Sequence, residues 1–313
     1  MRVARFRTGA REIERAAALV YDAPMIRPYL VLVPLVAVAA GCGGSSAMHN
    51  PSGSNALVIA RPYDFDQPAG YDASKSYPLI VLLHGFGADG FAQDALFGFA
   101  QLADDRGVFV ARPDGTLNSG GSRFWNATDA CCDEEGSGVD DVAYLNAVVD
   151  DMEANFNIDK KRVFFTGHSN GGFMSHRMAC DSAGRVAAIM ALAGDVWQDA
   201  SKCNPSEPVA VLQVHGDADT LVPYDGAGLM PSAKQSVATW AQKNGCTGEL
   251  TDTGRTLDID YHLAGAETSA AAYTCPAGAA ELWTIHGGMH VPSLIQPDWG
   301  NDVFDWLMQH PKP

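Results

Sequence analysis

A serine lies at the centre of a strand, turn and helix pattern in the middle of the chain. An apolar run at residues 163–166 leads into Gly-His-Ser-Asn-Gly at 167–171, and a Met-rich helical pattern follows. Such a turn projects the serine hydroxyl, and its flanking glycines let strand and helix approach each other. The helix N-terminus adds amide donors that suit a developing oxyanion. The pattern predicts that Ser169 is a nucleophile; the alternative is a glycine-rich turn without a catalytic role.

A serine nucleophile needs a base and an acid, and both residue types follow later predicted strands. The apolar run at 209–214 leads into a turn that holds Asp217 and Asp219. A triad acid holds the imidazole in one tautomer and stabilises its charged form. We favour Asp219 over Asp217 and Asp195. The glycine-rich loop after the last predicted strand carries His290, which we favour as the base over His286 at the end of that strand.

A second loop offers backbone donors for an oxyanion. The apolar run at 79–83 is bounded by proline and glycine, and His-Gly-Phe-Gly follows at 84–87. Glycines in such a loop let main-chain amides face the substrate. We expect the Phe86 and Asn170 N–H groups to form the oxyanion hole. His84 is predicted to be a packed residue at a strand end.

The long irregular stretch at 115–138 follows a strand and contains Trp125. Loops of this length are usually functional, so Trp125 is expected either to wall the substrate cleft or to pack within its own loop. His168 and Trp197 are further candidates for substrate contact. The acidic residues at 133–135 do not have the spacing of an EF-hand, and no metal site is predicted.

The hydrophobic pattern predicts an α/β fold with a mostly parallel central sheet flanked by helices. Continuous apolar runs bounded by glycine and proline are typical of strands that are buried on both faces. A single catalytic domain over 56–313 is expected, since an α/β fold can hold about 250 residues in one unit. Within it, residues 246–280 lack a clear pattern and are predicted to be an irregular insertion.

The N-terminal segment resembles an export signal. Residues 29–40 are twelve apolar residues, fewer than the roughly 20 that a membrane-spanning helix requires. We therefore predict a signal segment over 1–41, with Met25 as an alternative start, and a flexible tether over 42–55. Ala-Ala-Gly-Cys at 39–42 is similar to a bacterial lipobox, so Cys42 is expected to carry a lipid anchor; a signal without a lipid is the alternative. Either form predicts an exported protein, with the membrane involved only through Cys42.

Cysteine content and charge limit the compartment and the partners. Six cysteines besides Cys42 form no C-x-x-C zinc spacing, and an even number in an exported chain suggests disulfides. Cys246 and Cys275 flank the same polar stretch and are weakly favoured as a pair. The formal net charge is −16, and loss of the six arginines and three acids of residues 1–41 makes it −19. Such a charge repels nucleic acid and favours a neutral substrate.

The whole predicted domain resembles the polyhydroxybutyrate depolymerase and feruloyl esterase family of α/β-hydrolases. The matching motifs surround the oxyanion loop, the serine, the acid and the histidine, which follow one another in the order typical of that fold. The resemblance implies a serine esterase that needs no cofactor. Two departures lie near the acyl site: Val291 follows the histidine where the family usually has tryptophan nearby, and Phe86 stands where a small residue or cysteine is common.

The sequence thus predicts an exported serine esterase that acts on small or oligomeric esters. Feruloyl or acetyl esters of plant polysaccharide and hydroxyalkanoate oligomers are the expected substrates. A serine peptidase on the same fold and a non-catalytic ligand-binding lipoprotein are the alternatives. The order of the four motifs and the presence of every triad member favour the esterase.

Overall fold

The computed structural model describes residues 47–48 and 55–313. The predicted signal segment over 1–41, Cys42 and most of the predicted tether lie outside the described residues. The described residues belong to one compact unit that spans Gly44–Pro313. None of the helices in this part of the chain is long and apolar enough to cross a membrane.

The described residues form a large central sheet and a short hairpin. The strands are β1 (Ala47–Met48), β2 (Asp64–Asp66), β3 (Tyr77–Leu83), β4 (Phe109–Arg112), β5 (Thr116–Leu117), β6 (Arg123–Phe124), β7 (Ile158–His168), β8 (Ala188–Leu192), β9 (Ala210–Gly216), β10 (Thr247–Leu257), β11 (Thr268–Thr274) and β12 (Ala279–Ile285). Ten of them form one sheet in the order β1-β2-β4-β3-β7-β8-β9-β12-β11-β10, and β5 pairs with β6. The six strands from β4 to β12 in this order are parallel. Antiparallel strands extend both edges.

Helices cover both faces of the sheet. They are α1 (Ala56–Ala60), α2 (Gly90–Phe97), α3 (Phe99–Arg106), α4 (Asp141–Asn155), α5 (Asn170–Asp181), α6 (Ala233–Lys243) and α7 (Asp298–Met308). Apolar residues of α4, α5 and α6 pack with Leu79, Val81 and Leu83 of β3 in one core, whereas α3 and α7 pack with Ile80 and Leu82 in the other. Alternate side chains of one strand therefore enter opposite cores, which explains the continuous apolar run. The predicted mostly parallel sheet flanked by helices is confirmed.

The stretch predicted to be an irregular insertion is instead regular. β10 and β11 lie within residues 246–280 and pair with each other and with β12 as antiparallel strands. Most residues of β10 are exposed, so this edge strand lacks the alternation of apolar and polar residues that marks a half-buried strand. The prediction was wrong for this physical reason.

Three disulfides join cysteines of the described unit. They are Cys131–Cys132, Cys180–Cys203 and Cys246–Cys275. The last pair, which the sequence weakly favoured, is confirmed and closes the segment that contains β10 and β11. The second pair fixes the last turn of α5 to the loop after β8.

The loops that carry the predicted functional residues all follow the carboxyl ends of parallel strands. Phe86 follows β3, Ser169 follows β7, Asp219 follows β9 and His290 follows β12. Since parallel strands end at the same edge of the sheet, the fold directs these four loops to one side. The site is built there.

Candidate active site

Ser169 occupies a strained turn between β7 and α5. Its backbone has φ 54° and ψ −121°, and a positive φ costs a non-glycine residue about 1–3 kcal/mol. Ser169 and Ala193 are the non-glycine residues with positive φ in the described part of the chain. The Ser169 N–H donates to the carbonyl of Leu192 at 2.8 Å, which ties the turn to the neighbouring strand.

The glycines around Ser169 let three backbones meet closely. A Cβ at Gly171 would lie 2.1 Å from the carbonyl oxygen of Leu83, and a Cβ at Gly167 would lie 2.5 Å from the carbonyl carbon of Gly171. A Cβ at Gly194 would lie 2.6 Å from the Ser169 carbonyl oxygen. These separations are below any real Cβ contact, so only glycine fits there. The predicted role of Gly167 and Gly171, which is to let strand and helix approach each other, is confirmed.

The three residues predicted to form a triad lie within hydrogen-bond distance of one another. Nε2 of His290 is 3.0 Å from Oγ of Ser169, and Nδ1 of His290 is 2.7 Å from Oδ2 of Asp219. Ser169 and His290 are partly exposed, whereas the Asp219 side chain is buried. An arrangement of this kind can pass the serine proton to the imidazole while the carboxylate holds the ring.

The Asp219 carboxylate is surrounded by donors. Its Oδ1 accepts hydrogen bonds from the backbone N–H groups of Leu221 at 2.8 Å and Val222 at 3.0 Å. Burial alone would raise the pKa of this carboxyl, but hydrogen bonds from His215 and His290 hold its pKa well below the ordinary value. Asp219 is therefore ionised at neutral pH and can stabilise an imidazolium.

The alternative acid and base lie elsewhere and contact each other. Nδ1 of His286 donates to Oδ2 of Asp217 at 2.9 Å, and the Gly287 N–H donates to Oδ1 at 2.7 Å. The Oγ of Ser269 donates to Nε2 of His286 at 2.8 Å. This surface chain includes neither Ser169 nor His290.

Asp195, the third candidate acid, lies in the protein interior. It accepts a hydrogen bond from Oγ of Ser236 at 3.1 Å. Burial raises the pKa of its carboxyl to about 7. No hydrogen bond joins Asp195 to His290 in the described residues.

The two backbone N–H groups predicted to form the oxyanion hole have no hydrogen-bond acceptor within residues 55–313. They belong to Phe86 and to Asn170, the first residue of α5. The Asn170 side chain is bound to the Trp125 backbone: its Oδ1 accepts the Trp125 N–H at 2.7 Å and its Nδ2 donates to the Trp125 carbonyl at 3.0 Å. The loop that carries Phe86 is fixed by a hydrogen bond from the Gly87 N–H to the Arg123 carbonyl at 2.8 Å. The two amides are thus available to a ligand oxygen.

Trp125 is buried and does not line an accessible surface. The side chain has no exposed surface, and its Nε1 donates to the His84 carbonyl at 3.0 Å. His84 is buried as predicted, and its Nε2 accepts the Gly115 N–H at 2.8 Å. The expectation that Trp125 contacts substrate is corrected here, because the side chain is buried. Trp125 does not pack within its own loop either: the residue contacts His84 after β3, Tyr144 of α4 and Asn170 of α5.

The other two proposed substrate contacts are also buried. His168 places Nε2 2.8 Å from the carbonyl oxygen of His290. Burial lowers the pKa of His168 to about 3, so the ring is neutral and donates to that carbonyl. Trp197 lies 5.4 Å from the Arg177 guanidinium and borders a surface cavity beside α6. A role of either residue in substrate binding stays a prediction.

One residue near the triad was not identified from the sequence. Nε2 of His215 donates to the Val222 carbonyl at 2.8 Å and lies 3.4 Å from Oδ2 of Asp219. The signal for it was a histidine at the end of a buried strand, four residues before the predicted acid. Among residues 55–313, no group of three or more His, Cys, Asp or Glu side chains is placed to hold a metal ion.

Comparison with known proteins yields one consistent family. The model of the phospholipase/carboxylesterase family matches residues 71–249, more than half of the chain. A probable feruloyl esterase C of Aspergillus terreus is 32% identical over 231 residues, which cover 72% of this chain and 75% of that protein. Feruloyl esterase C of Emericella nidulans is 31% identical over 69% of this chain and 72% of its own length. The solved structure of an acetyl xylan esterase from Aspergillus awamori has a TM-score of 0.55 and 14% identity, over 80% of this chain and 95% of that one, which shows a shared fold.

The close approach of the backbones around Ser169 predicts that a single added methyl group lowers stability strongly. Gly171→Ala is expected to lower the free energy of unfolding by about 3 kcal/mol or more, because its Cβ would overlap the Leu83 carbonyl. Denaturant unfolding followed by fluorescence measures the change. Gly184→Ala is the control, since a Cβ there would meet only the Glu207 carboxylate at 3.9 Å. Equal stability of both variants would contradict the steric account.

Substitutions of the two aspartates in the turn after β9 are expected to have very different effects on kcat. Asp219→Asn is expected to lower kcat for p-nitrophenyl acetate by about 10⁴-fold, because an amide would favour the wrong imidazole tautomer. Asp217→Asn removes an exposed pair and is expected to lower kcat by less than about fivefold. Steady-state kinetics of the two variants separate these outcomes, and comparable losses would refute the assignment of Asp219.

Proposed function

This chain belongs to the phospholipase/carboxylesterase family and is a carboxylic ester hydrolase of the α/β-hydrolase type, and we propose that it acts through Ser169, His290 and Asp219 by way of an acyl-enzyme. The observation that carries the proposal is the continuous contact from Ser169 Oγ through His290 to Asp219, at 3.0 and 2.7 Å. The strained backbone of Ser169 supports the same role, since strain of this kind accompanies nucleophiles at sharp strand-to-helix turns.

In the proposed first step, Nε2 of His290 takes the proton of Ser169 while Oγ bonds to the ester carbonyl carbon. The carbonyl oxygen becomes an oxyanion and accepts hydrogen bonds from the Phe86 and Asn170 N–H groups, which have no other acceptor in the described structure. Asp219 stabilises the imidazolium without taking its proton.

Acylation is complete when the imidazolium gives its proton to the leaving alcohol and the acyl group stays on Ser169. A water molecule then gives a proton to Nε2 of His290 and attacks the acyl carbon. The second tetrahedral intermediate collapses, the carboxylic acid leaves, and the proton returns to Oγ. The proton is accounted for at each stage by one histidine, so no cofactor is required in this scheme.

Apolar side chains on the two loops that carry the acid and the base support an ester with an apolar part. Leu221 follows Asp219, and Met289 and Val291 flank His290; all three are exposed, at 44%, 55% and 50%. Exposed apolar groups beside a reactive centre favour binding of an apolar or aromatic substrate group. The similarity to feruloyl esterases at about 30% identity makes a feruloyl ester the preferred substrate. Acetyl esters of polysaccharide and hydroxyalkanoate oligomers are the further substrates of the proposal.

We also propose that the protein is exported, with a signal segment over 1–41 and a lipid anchor on Cys42. The three disulfides support an oxidising compartment, since such bonds persist outside the cytosol. The tether over 42–55 would then join the anchored cysteine to the catalytic domain over 56–313. The formal charge of −16 agrees with a neutral substrate and disfavours nucleic acid.

Replacement of the proposed nucleophile tests the mechanism. Ser169→Ala is expected to lower turnover of methyl ferulate, an acetylated xylan oligomer, a hydroxybutyrate oligomer and p-nitrophenyl acetate by about 10⁶-fold, as for other activated serines. The same substitution should abolish labelling by a fluorophosphonate probe. Labelling that persists in this variant would point to another serine. Cleavage of amide but not ester substrates by the unaltered protein would favour a peptidase instead.

The exposed apolar residues of the two loops predict that substitutions there raise KM more for an aromatic ester than for a small one. Met289→Ser and Val291→Ser are each expected to raise KM for methyl ferulate about 5- to 10-fold, because a buried apolar contact is lost, and to leave KM for p-nitrophenyl acetate within about twofold. Ile59→Ser on α1 changes an equally exposed apolar residue and is the control. Equal changes for both substrates would contradict a feruloyl site at these loops.

A further inference from the structure

A chain of four buried polar side chains lies behind Asp219. Nε1 of Trp240 is 2.9 Å from Nδ1 of His176, and Nε2 of His176 is 2.9 Å from Oε1 of Gln213. Nε2 of Gln213 is 3.2 Å from Nδ1 of His215. All four side chains are fully buried. The chain begins on α6, crosses α5 and β9, and ends at the turn that carries the proposed triad acid.

The direction of every hydrogen bond in this chain follows from its first member. The indole Nε1–H can only donate, so Nδ1 of His176 must accept. Burial lowers the pKa of His176 to about 4, so the neutral ring carries its one proton on Nε2 and donates it to Oε1 of Gln213. The Gln213 amide then has its NH₂ group towards His215 and donates to Nδ1.

His215 is therefore left with its proton on Nε2, where two acceptors lie. The Val222 carbonyl is 2.8 Å away and Oδ2 of Asp219 is 3.4 Å away. The same Oδ2 accepts the Nδ1–H of His290 at 2.7 Å. One carboxylate oxygen thus faces two imidazoles, and a single His215 N–H both holds the turn and faces the carboxylate within it.

Several titratable groups surround His215. The buried carboxylates of Asp219 and Asp195 face it, the His168 ring lies on the β7 side, and Tyr224 meets it edge-on at 5.7 Å. Burial opposes the charged form of His215, yet the nearby carboxyl groups of Asp219 and Asp195 leave its pKa above the ordinary value. The NH₂ group of Gln213 opposes a second proton at Nδ1, because that nitrogen must accept from it.

We propose that His215 is a positioning residue for ester hydrolysis, which the hydrogen-bond chain from Trp240 orients so that its Nε2–H holds the Asp219 turn and stabilises the Asp219 carboxylate. The proposal rests on the proposed role of Asp219 as triad acid. His215 contacts neither substrate nor the serine; it acts on the acid, and the acid acts on His290.

Loss of this N–H has a consequence for the pH profile. Without it the Asp219 carboxylate has one donor fewer, so its charge is concentrated on His290 and favours the imidazolium. Since protonated His290 cannot act as the base, the acid limb of kcat/KM then moves to higher pH. A variant that is merely less well packed loses rate without this displacement.

Two substitutions at one position test the proposal. His215→Leu is expected to lower kcat about 10- to 100-fold with little change in KM, and to move the acid limb up by about half a pH unit or more. His215→Gln keeps a side-chain N–H at a similar reach and is expected to restore most of kcat and the original limb. An unmoved limb in the leucine variant, or a glutamine variant as impaired as leucine, would overturn the proposal.

Replacement of Trp240 tests whether this residue sets the directions of the hydrogen bonds that lead to His215. Trp240→Phe keeps a ring but removes the donor, so it is expected to move the acid limb in the same direction by a smaller amount. Trp283→Phe is the matched control, because Trp283 is equally buried and donates to Glu281 instead. In ¹⁵N-histidine NMR spectra, His176 and His215 are expected to carry their protons on Nε2, and Trp240→Phe should weaken this preference at His176 and, through Gln213, at His215. A neutral ring of His176 or His215 with its single proton on Nδ1 in the unaltered protein would refute the chain.

Ser169→Ala tests the proposed function independently of the role of His215. If Ser169→Ala keeps its activity, the proposed function itself fails, whatever the His215 variants do. If Ser169→Ala is inactive while both His215 variants behave like the unaltered protein, only the role of His215 fails.

Discussion

The close approach of three backbones beneath Ser169 is the constraint on which the site depends. β3, β7 and α5 meet where Leu83, Gly167 and Gly171 leave no room for a side chain. This contact forces the sharp turn, and the turn gives Ser169 its positive φ. Because α5 starts immediately after the serine, the first free amide of the helix lies beside the projected hydroxyl. The position of the proposed nucleophile and the availability of a donor for an oxyanion thus have one cause.

A second constraint is electrostatic and concerns Asp219. A buried carboxylate is stable only when its oxygens are satisfied, and here two backbone amides and two imidazoles face them. The donors come from the turn itself, from β9 and from the loop after β12. The charge that would stabilise the imidazolium therefore also binds together the segments that carry acid and base.

The order of strands and loops could be predicted from the sequence because continuous apolar runs followed by glycine-rich turns are specific to buried parallel strands. That order was enough to bring Ser169, Asp219 and His290 to one edge of the sheet. The edge strands β10 and β11 could not be predicted, since their exposed polar and small residues have no periodicity. Burial of Trp125 and the contact of His215 with Asp219 depend on packing between distant segments, for which a single sequence carries no local signal.

Two serine–histidine–aspartate chains with similar hydrogen-bond lengths occur in this molecule, and their comparison shows what a triad requires beyond its residues. Ser269, His286 and Asp217 are joined at 2.8 and 2.9 Å, compared with 3.0 and 2.7 Å at Ser169. Ser269 lies within β11, where its backbone pairs with Thr284, so no helix begins beside it. The side chain of Asp217 is 37% exposed, whereas that of Asp219 is fully buried. Water screens the first carboxylate and leaves the second to act on its histidine at full strength. Residue types and distances are shared by both chains; burial, the helix N-terminus and the strained turn distinguish the one proposed to do chemistry.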